Sequence, residues 1–186
     1  MINDPINFRD EHFQPHQSPS CHLLIHLDND SYSYAIIDHA QKQLKALVRN
    51  YFGERTESFS TFDRLEILKA ENENIGLDFG KVKISVETRA FTFVPDELYS
   101  DADLPEYSKF IGVEPATALL TADISAFGIK NVTAVEPDLD RILRNAFPKS
   151  LIVSQANSFL AGAASLAKAA SEIQLYLNIN IDSFEA

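Results

Sequence analysis

From Cys21 onward, apolar side chains fall on every second position. "CHLLIHLD" sets Leu23, Ile25 and Leu27 on one side. "SYSYAIID" does the same with Tyr32, Tyr34 and Ile36, and "QLKALVRNYF" with Leu44, Ala46 and Val48. A period of two is that of a strand with one buried face. The breaks are short and polar, at Asn29-Asp30 and at His39–Lys42, as hairpin turns require. Three strands in a meander are expected. Around Phe62 the period lengthens: Phe62, Leu65, Leu68 and Ile67 form one apolar face with Asp63, Arg64, Lys69 and Glu71 outside it, a helix pattern. Alternation returns in "KVKISVET" and in "AFTFVP", which ends at Pro95.

The second half of the chain reads as follows. "DLPEYSKFIG" fits a short helix between Asp103 and a stop at Gly112. "ATALLTADISAFGIKNVTAVE" is β-rich, with a turn near Gly128. "PDLDRILRNAFP" carries the plainest helix signal. Pro137 suits the first turn, where its missing N–H costs nothing, and Asp138 and Asp140 face the positive end of the helix dipole. Leu139, Ile142, Leu143, Ala146 and Phe147 make the apolar stripe, and Pro148 ends it. "SLIVSQ" predicts a buried strand, and "NSFLAGAASLAKAASE" a helix capped by Asn157 or Ser158. "IQLYLNINIDSFEA" alternates again, as a strand from Leu175 to Asp182 with no partner downstream. Residues 1–20 hold three prolines and no period, and are expected to form a flexible N-terminal arm.

Composition narrows the partners. The 186 residues suffice for one domain with a sizeable core. A net charge of −11 repels the nucleic-acid backbone and anionic membranes, so neither nucleic acid nor membrane insertion is expected. The longest charge-free run, Ser150 to Ala167, is broken by polar residues and does not read as a span. Cys21 is the only cysteine, which excludes an intrachain disulfide. The N-terminus has no apolar core of a signal peptide, and a cytoplasmic location is expected.

One short motif occurs twice. "LDNDSY" (Leu27–Tyr32) and "INIDSF" (Ile179–Phe184) each end a strand with Asp-Ser-aromatic, about 150 residues apart. The chain thereby resembles the ribonuclease H-like half of an actin-like ATPase fold: a three-strand meander, flanking helices and a small β-rich insertion. Proteins of that class contain two such halves with nucleotide between them. Each half opens on a hairpin whose turn, roughly Asp-x-Gly-Ser/Thr, wraps phosphate with backbone N–H groups. The resemblance puts Asp28 and Ser31 at the polar positions of the first turn, Gln155 where actins keep a glutamine that positions the attacking water, and Asp182 in the second turn. More closely, residues 21–186 resemble the N-terminal part of a bacterial family of unknown function, similar to the actin-like proteins of type IV pilus assembly and type II secretion. The carrying segments are "KVKISVETRAFTFVPDELY", "ISAFGIKNVTAVEPDLDRILRNAFP" and "LYLNINIDSF". The resemblance implies an actin-like first half at 21–172 and, at 173–186, the opening strand of a truncated second half.

The turn departs from the pattern. Asp30 stands where the phosphate-loop glycine belongs, and Phe184 blocks the second copy sterically. A non-catalytic scaffold or protein-interaction domain is therefore expected, with no resident cofactor. ATP would be a ligand only of a longer form, as in a nucleotide-binding actin-like ATPase-type protein whose cleft needs the second half. An unknown protein partner, or self-association through the terminal strand, is the expected interaction. The residue types allow two other chemistries. Asp28 with Glu87 and Glu66 could form a metal-nuclease carboxylate set, but solvated turn and helix charges are the simpler reading. His22 and His26 share a strand face as a zinc pair would, but an exposed hairpin is simpler, with His12 and His16 on the arm. No G-x-S-x-G, P-loop or G-x-G-x-x-G occurs, and Asn131-Val132-Thr133 is a glycosylation sequon by chance.

Overall fold

The computed structural model describes residues 5–28, 30–52, 60–114, 117–167, 176, 178–179 and 184–185. The chain divides into two compact units, residues 1–87 with 136–152, and residues 88–135 with 153–186.

In the first unit, β2 (Cys21–Leu27), β3 (Ser31–Asp38) and β4 (Gln43–Tyr51) form the expected antiparallel meander. A register shift between Ile36 and Ile37 inserts Lys45 as an extra residue on β4. β5 (Lys81–Val86) returns parallel to β2, the step that needs a crossover. That crossover contains α1 (Thr61–Glu71). Two further strands complete a six-stranded sheet in the order β1-β4-β3-β2-β5-β9. β1 is Ile6–Arg9, and β9 is Leu151–Ser154, whose last two residues pass into the second unit. Fold class is thus mixed α/β, as expected.

The segment expected to be a flexible arm is structured in part. β1 pairs antiparallel with β4 from Ile6↔Arg49 to Arg9↔Ala46, and Pro15–Ser20 form a 3-10 turn. A strand of four residues at a sheet edge needs only backbone groups to pair, so side-chain periodicity does not reveal it. The turn is clamped against the loop before β5: the Ser18 hydroxyl donates to the Asp78 carbonyl at 2.8 Å and the Gly80 N–H to the Cys21 carbonyl at 3.1 Å. A Cβ on Gly80 would lie 2.3 Å from the Pro19 carbonyl oxygen, a closeness only glycine allows.

One sheet face is core. Leu23, Ile25, Leu27, Tyr32, Tyr34, Ile36, Ala46, Val48, Ile84 and Val86 are all buried on it. α1 contributes buried Leu65 and Leu68, and it contacts α3 (Pro137–Ala146), which contributes Leu143. Phe62, expected on the apolar face of α1, is 55% exposed. It sits in the first turn, where Ser60 and Asp63 cap each other's backbone N–H groups. The Ser60 hydroxyl, and after it the Ser60 N–H, donate to the Asp63 carboxylate and hold it below the ordinary aspartate pKa.

A polar network runs from this core to the surface, from buried Tyr32 and Asn72 to exposed Glu71 and Arg9. The Tyr32 hydroxyl donates to Glu71 Oε2 at 2.5 Å and accepts from Asn72 Nδ2 at 3.1 Å. Asn72 Nδ2 also donates to the Leu68 carbonyl, and its Oδ1 accepts from Arg9 Nη2 at 3.0 Å. Asn50 Nδ2 donates to Glu71 at 3.0 Å. Burial first, and then the Glu71 carboxylate, keep the Tyr32 pKa above the usual tyrosine value.

The opposite face differs in character. Register places His22, Leu24 and His26 of β2 beside Lys81, Lys83 and Ser85 of β5, and beside Ile37, Ala35 and Ser33 of β3. Leu44, Leu47 and Arg49 of β4, then Phe8 and Ile6 of β1, extend the same rows. His22 is stacked on His39, with ring centroids 4.8 Å apart.

The second unit carries a three-stranded antiparallel sheet in the order β6-β8-β7. Its strands are β6 (Phe91–Pro95), β7 (Ala118–Ile124) and β8 (Ile129–Val135). α2 (Leu104–Ile111) ends at Gly112, whose φ of 79° lets its N–H turn back to the Ser108 and Lys109 carbonyls. α4 (Gln155–Ala167) begins directly at the end of β9, two residues before the expected cap. The Ser154 hydroxyl accepts from the Asn157 N–H at 3.1 Å and does the capping instead. The expected terminal strand is described only at β10 (Asn178–Ile179), and there it has a downstream partner: it pairs antiparallel with β11 (Phe184–Glu185). Among the described residues no helix is long and apolar enough to cross a membrane.

Candidate functional site

The phosphate-type turn lies between β2 and β3. Its two ends are tied by the chain's own backbone: the Asp28 N–H donates to the Ser31 carbonyl at 3.0 Å. The Asp30 carbonyl accepts from the Phe52 N–H at 2.8 Å, which fastens the turn to the end of β4. Ser31 is buried at 4% exposure, while Asp28 and Asp30 are half-buried. A phosphate held here would meet two carboxylates. Like charges about 4 Å apart repel by about 4 kcal/mol at an effective dielectric of 20.

Asp28 and Ser31 thus stand at the two ends of this turn. Gln155 belongs to the second unit, and Asp182 lies outside the described residues. The carboxylate set considered for metal does not assemble. Parallel pairing of β2 and β5 puts Glu87 beside Asp28, with the Glu87 N–H donating to the Leu27 carbonyl at 3.4 Å. Glu66 instead faces Lys69 across 3.5 Å on α1. No group of three or more His, Cys, Asp or Glu side chains suited to a metal occurs among the described residues. His12 and His16 lie within the structured N-terminal segment, where the His12 N–H donates to Asp10.

Gln155 opens a second polar cluster, one that sequence reasoning did not assemble. Asn131 Oδ1 accepts from the Ser154 hydroxyl at 2.8 Å and from the Thr133 hydroxyl. Asn131, Thr133 and Ser154 are at most 1% exposed, so the apparent sequon at Asn131 is inaccessible in this fold. At the first turn of α4, Gln155 and Asn157 are 6% and 7% exposed. Gln155 Oε1 and Asn157 Nδ2 have no hydrogen-bond partner among the described residues. An unpaired buried polar atom costs about 1–3 kcal/mol, and these two are an acceptor and a donor at a helix N-terminus, where dipole and free N–H groups favour negative charge. The cue available in the sequence was the polar run Ser154-Gln155-Ala156-Asn157 directly after a buried strand.

These observations define a class of fold. The chain is similar to a crystal structure from Bacteroides thetaiotaomicron of a protein with an actin-like ATPase fold and unknown function, at TM-score 0.68 and 16% identity. The match covers 78% of this chain and 56% of that one, so this chain spans little more than half the length of its structural neighbour. The chain belongs to the family described as protein of unknown function DUF3822, which it matches over residues 10–186. No curated protein matches it.

Proposed function

We propose that this chain is a non-catalytic actin-like scaffold or protein-interaction domain whose phosphate turn has degenerated. The observation that carries this reading is the β2–β3 turn. It bears Asp30 in place of glycine, and its backbone is engaged internally, by Asp28 with Ser31 and by Asp30 with Phe52. Titration calorimetry with ATP, ADP and Mg²⁺ should give no heat above dilution. Micromolar binding that disappears in Asp28→Ala would overturn the reading.

A second reading draws on a specific observation, the unpaired Gln155 and Asn157 side chains at the start of α4. On it, the protein binds nucleotide in a cleft completed by a second half, with the Gln155 amide on the ligand. Mg-ATP at 100 times a tenth-millimolar Kd would stabilise the fold by about 2.7 kcal/mol. A thermal shift of that size, abolished by Gln155→Leu, would favour this reading over the first.

A further inference from the structure

The outer rows of the six-stranded sheet are at odds with the rest of the chain. The sequence has 27 acidic and 16 basic residues. Yet the outward positions within β1 to β5 carry Arg49, Lys81 and Lys83, all exposed, and the carboxylates stand at the rim, Asp10 and Glu11 beside Phe8 and Leu44 and Asp28 and Glu87 past the ends of β2 and β5. Toward the β1 edge the same face carries apolar side chains, with Ile6 44%, Phe8 47% and Leu44 42% exposed. A face that sets cations and exposed apolar side chains side by side fits a partner surface that is both acidic and apolar.

The second unit displays such a surface. From Asp96 to Glu106 the sequence places five carboxylates and no Lys or Arg. Asp96, Glu97, Asp101, Asp103 and Glu106 are all exposed. The same stretch and the helix it leads into present Leu98 at 67% and Phe110 at 80% exposure. Each surface thus carries an excess of the charge that the other is short of, beside exposed apolar residues of its own, with Lys109 on the acidic one paired to Glu106 at 2.6 Å.

We propose that a second copy of this chain docks its acidic 96–110 surface on the basic outer sheet face of the first. The inference rests on the interaction-domain reading above and names its partner. The two patches differ, so the contact is heterologous. Every docked copy leaves one patch of each kind unused, and assembly continues head to tail. The apolar residues supply the attraction that survives salt, and the charges supply orientation and salt dependence.

Charge reversal separates the two patches. Lys81→Glu/Lys83→Glu removes the basic face, and Glu97→Lys/Asp103→Lys removes the acidic one; all four positions are exposed, so both variants should keep the wild-type melting temperature and circular dichroism. Sedimentation equilibrium should show a wild-type mass that climbs with concentration and falls with added salt. Each variant alone should stay monomeric. An equimolar mixture should assemble again and grow with concentration, because the intact patches complement each other and the two reversed patches do so as well. A wild-type chain that is monomeric at its solubility limit in low salt overturns the proposal, as does one that stops at a dimer, or a mixture that stays monomeric. ATP binding would count against the non-catalytic reading without changing any of these masses, so the two failures are distinguishable.

Discussion

The chain builds two polar clusters, one that reaches the surface and one that is buried throughout, and they satisfy their hydrogen-bonding groups differently. In the first unit, the Tyr32 hydroxyl, Glu71, Asn50, Asn72 and Arg9 share hydrogen bonds around one centre. In the second, Asn131, Thr133 and Ser154 are joined, but Gln155 Oε1 and Asn157 Nδ2 have no partner among the described residues. A closed network contributes to stability through its own bonds. An open one costs stability, and where it lies at a helix N-terminus its orphan groups are available to something else. The contrast separates a cluster whose role ends with folding from one that has capacity left over.

Four measurements would break or sharpen that contrast. The largest effect sets the scale. Leu143 is fully buried in the apolar core beside the closed network, and Leu143→Ala should cost roughly 2–5 kcal/mol in urea denaturation. A loss below about 0.5 kcal/mol would mean that the α3 stripe does not pack. Next, Asn72→Ala strips partners from Tyr32, Arg9 and the Leu68 carbonyl at once, and should cost about 1–3 kcal/mol.

Third, the two tyrosines of β3 are an internal control. Tyr32 has its hydroxyl in the network, whereas the buried Tyr34 hydroxyl has no partner among the described residues. Tyr32→Phe should cost about 1 kcal/mol, whereas Tyr34→Phe removes an unpaired hydroxyl and should cost nothing or raise stability by up to about 1 kcal/mol. Both pKa values are held above the ordinary tyrosine value, chiefly by burial. The folded state therefore keeps those protons longer than the unfolded state does. Stability is full below a pH of about 10, the unfolded tyrosine pKa, and falls as pH rises above it. Alkaline denaturation should begin at higher pH in the double Phe variant. An unchanged alkaline limb would show that neither hydroxyl is buried as described. Last, Asn157→Ala and Gln155→Leu each remove an orphan polar atom and should leave stability unchanged or raise it by up to about 1 kcal/mol, while Ser154→Ala loses about 1 kcal/mol with its cap. If Gln155→Leu costs more than the cap, the orphan amide is paired in solution.

Much of the fold was legible in the sequence because burial is periodic. Leu23, Ile25 and Leu27 announce a one-faced strand, and Pro137 with the Leu139–Phe147 stripe announces α3. What was missed has no period. β1 is held by backbone pairing along β4, and the Ser154 cap is a hydroxyl whose role depends on where the helix starts. The site was legible only where it is local. Asp28, Asp30 and Ser31 are neighbours in sequence, so their carboxylate-rich turn could be read directly. Asn131, Thr133 and Ser154 come from two strands more than twenty residues apart, and no spacing rule joins them. The basic outer face was half visible: Lys81 and Lys83 occupy alternate positions, but only the pairing order puts them in rows with Leu24 and Phe8.

β1 has a consequence for handling the protein. Its four residues cover the edge of β4, and a bare strand edge invites pairing with any other chain that offers one. Its own anchorage is short, and the link to Cys21 passes through the clamp over Gly80. Expression variants that begin at Cys21, or that pull on the N-terminus with a bulky tag, would uncover the Gln43–Tyr51 backbone beside exposed Leu44. Such material is expected to express as inclusion bodies, or to precipitate on storage, even when every core residue is intact. Affinity handles belong elsewhere on this chain.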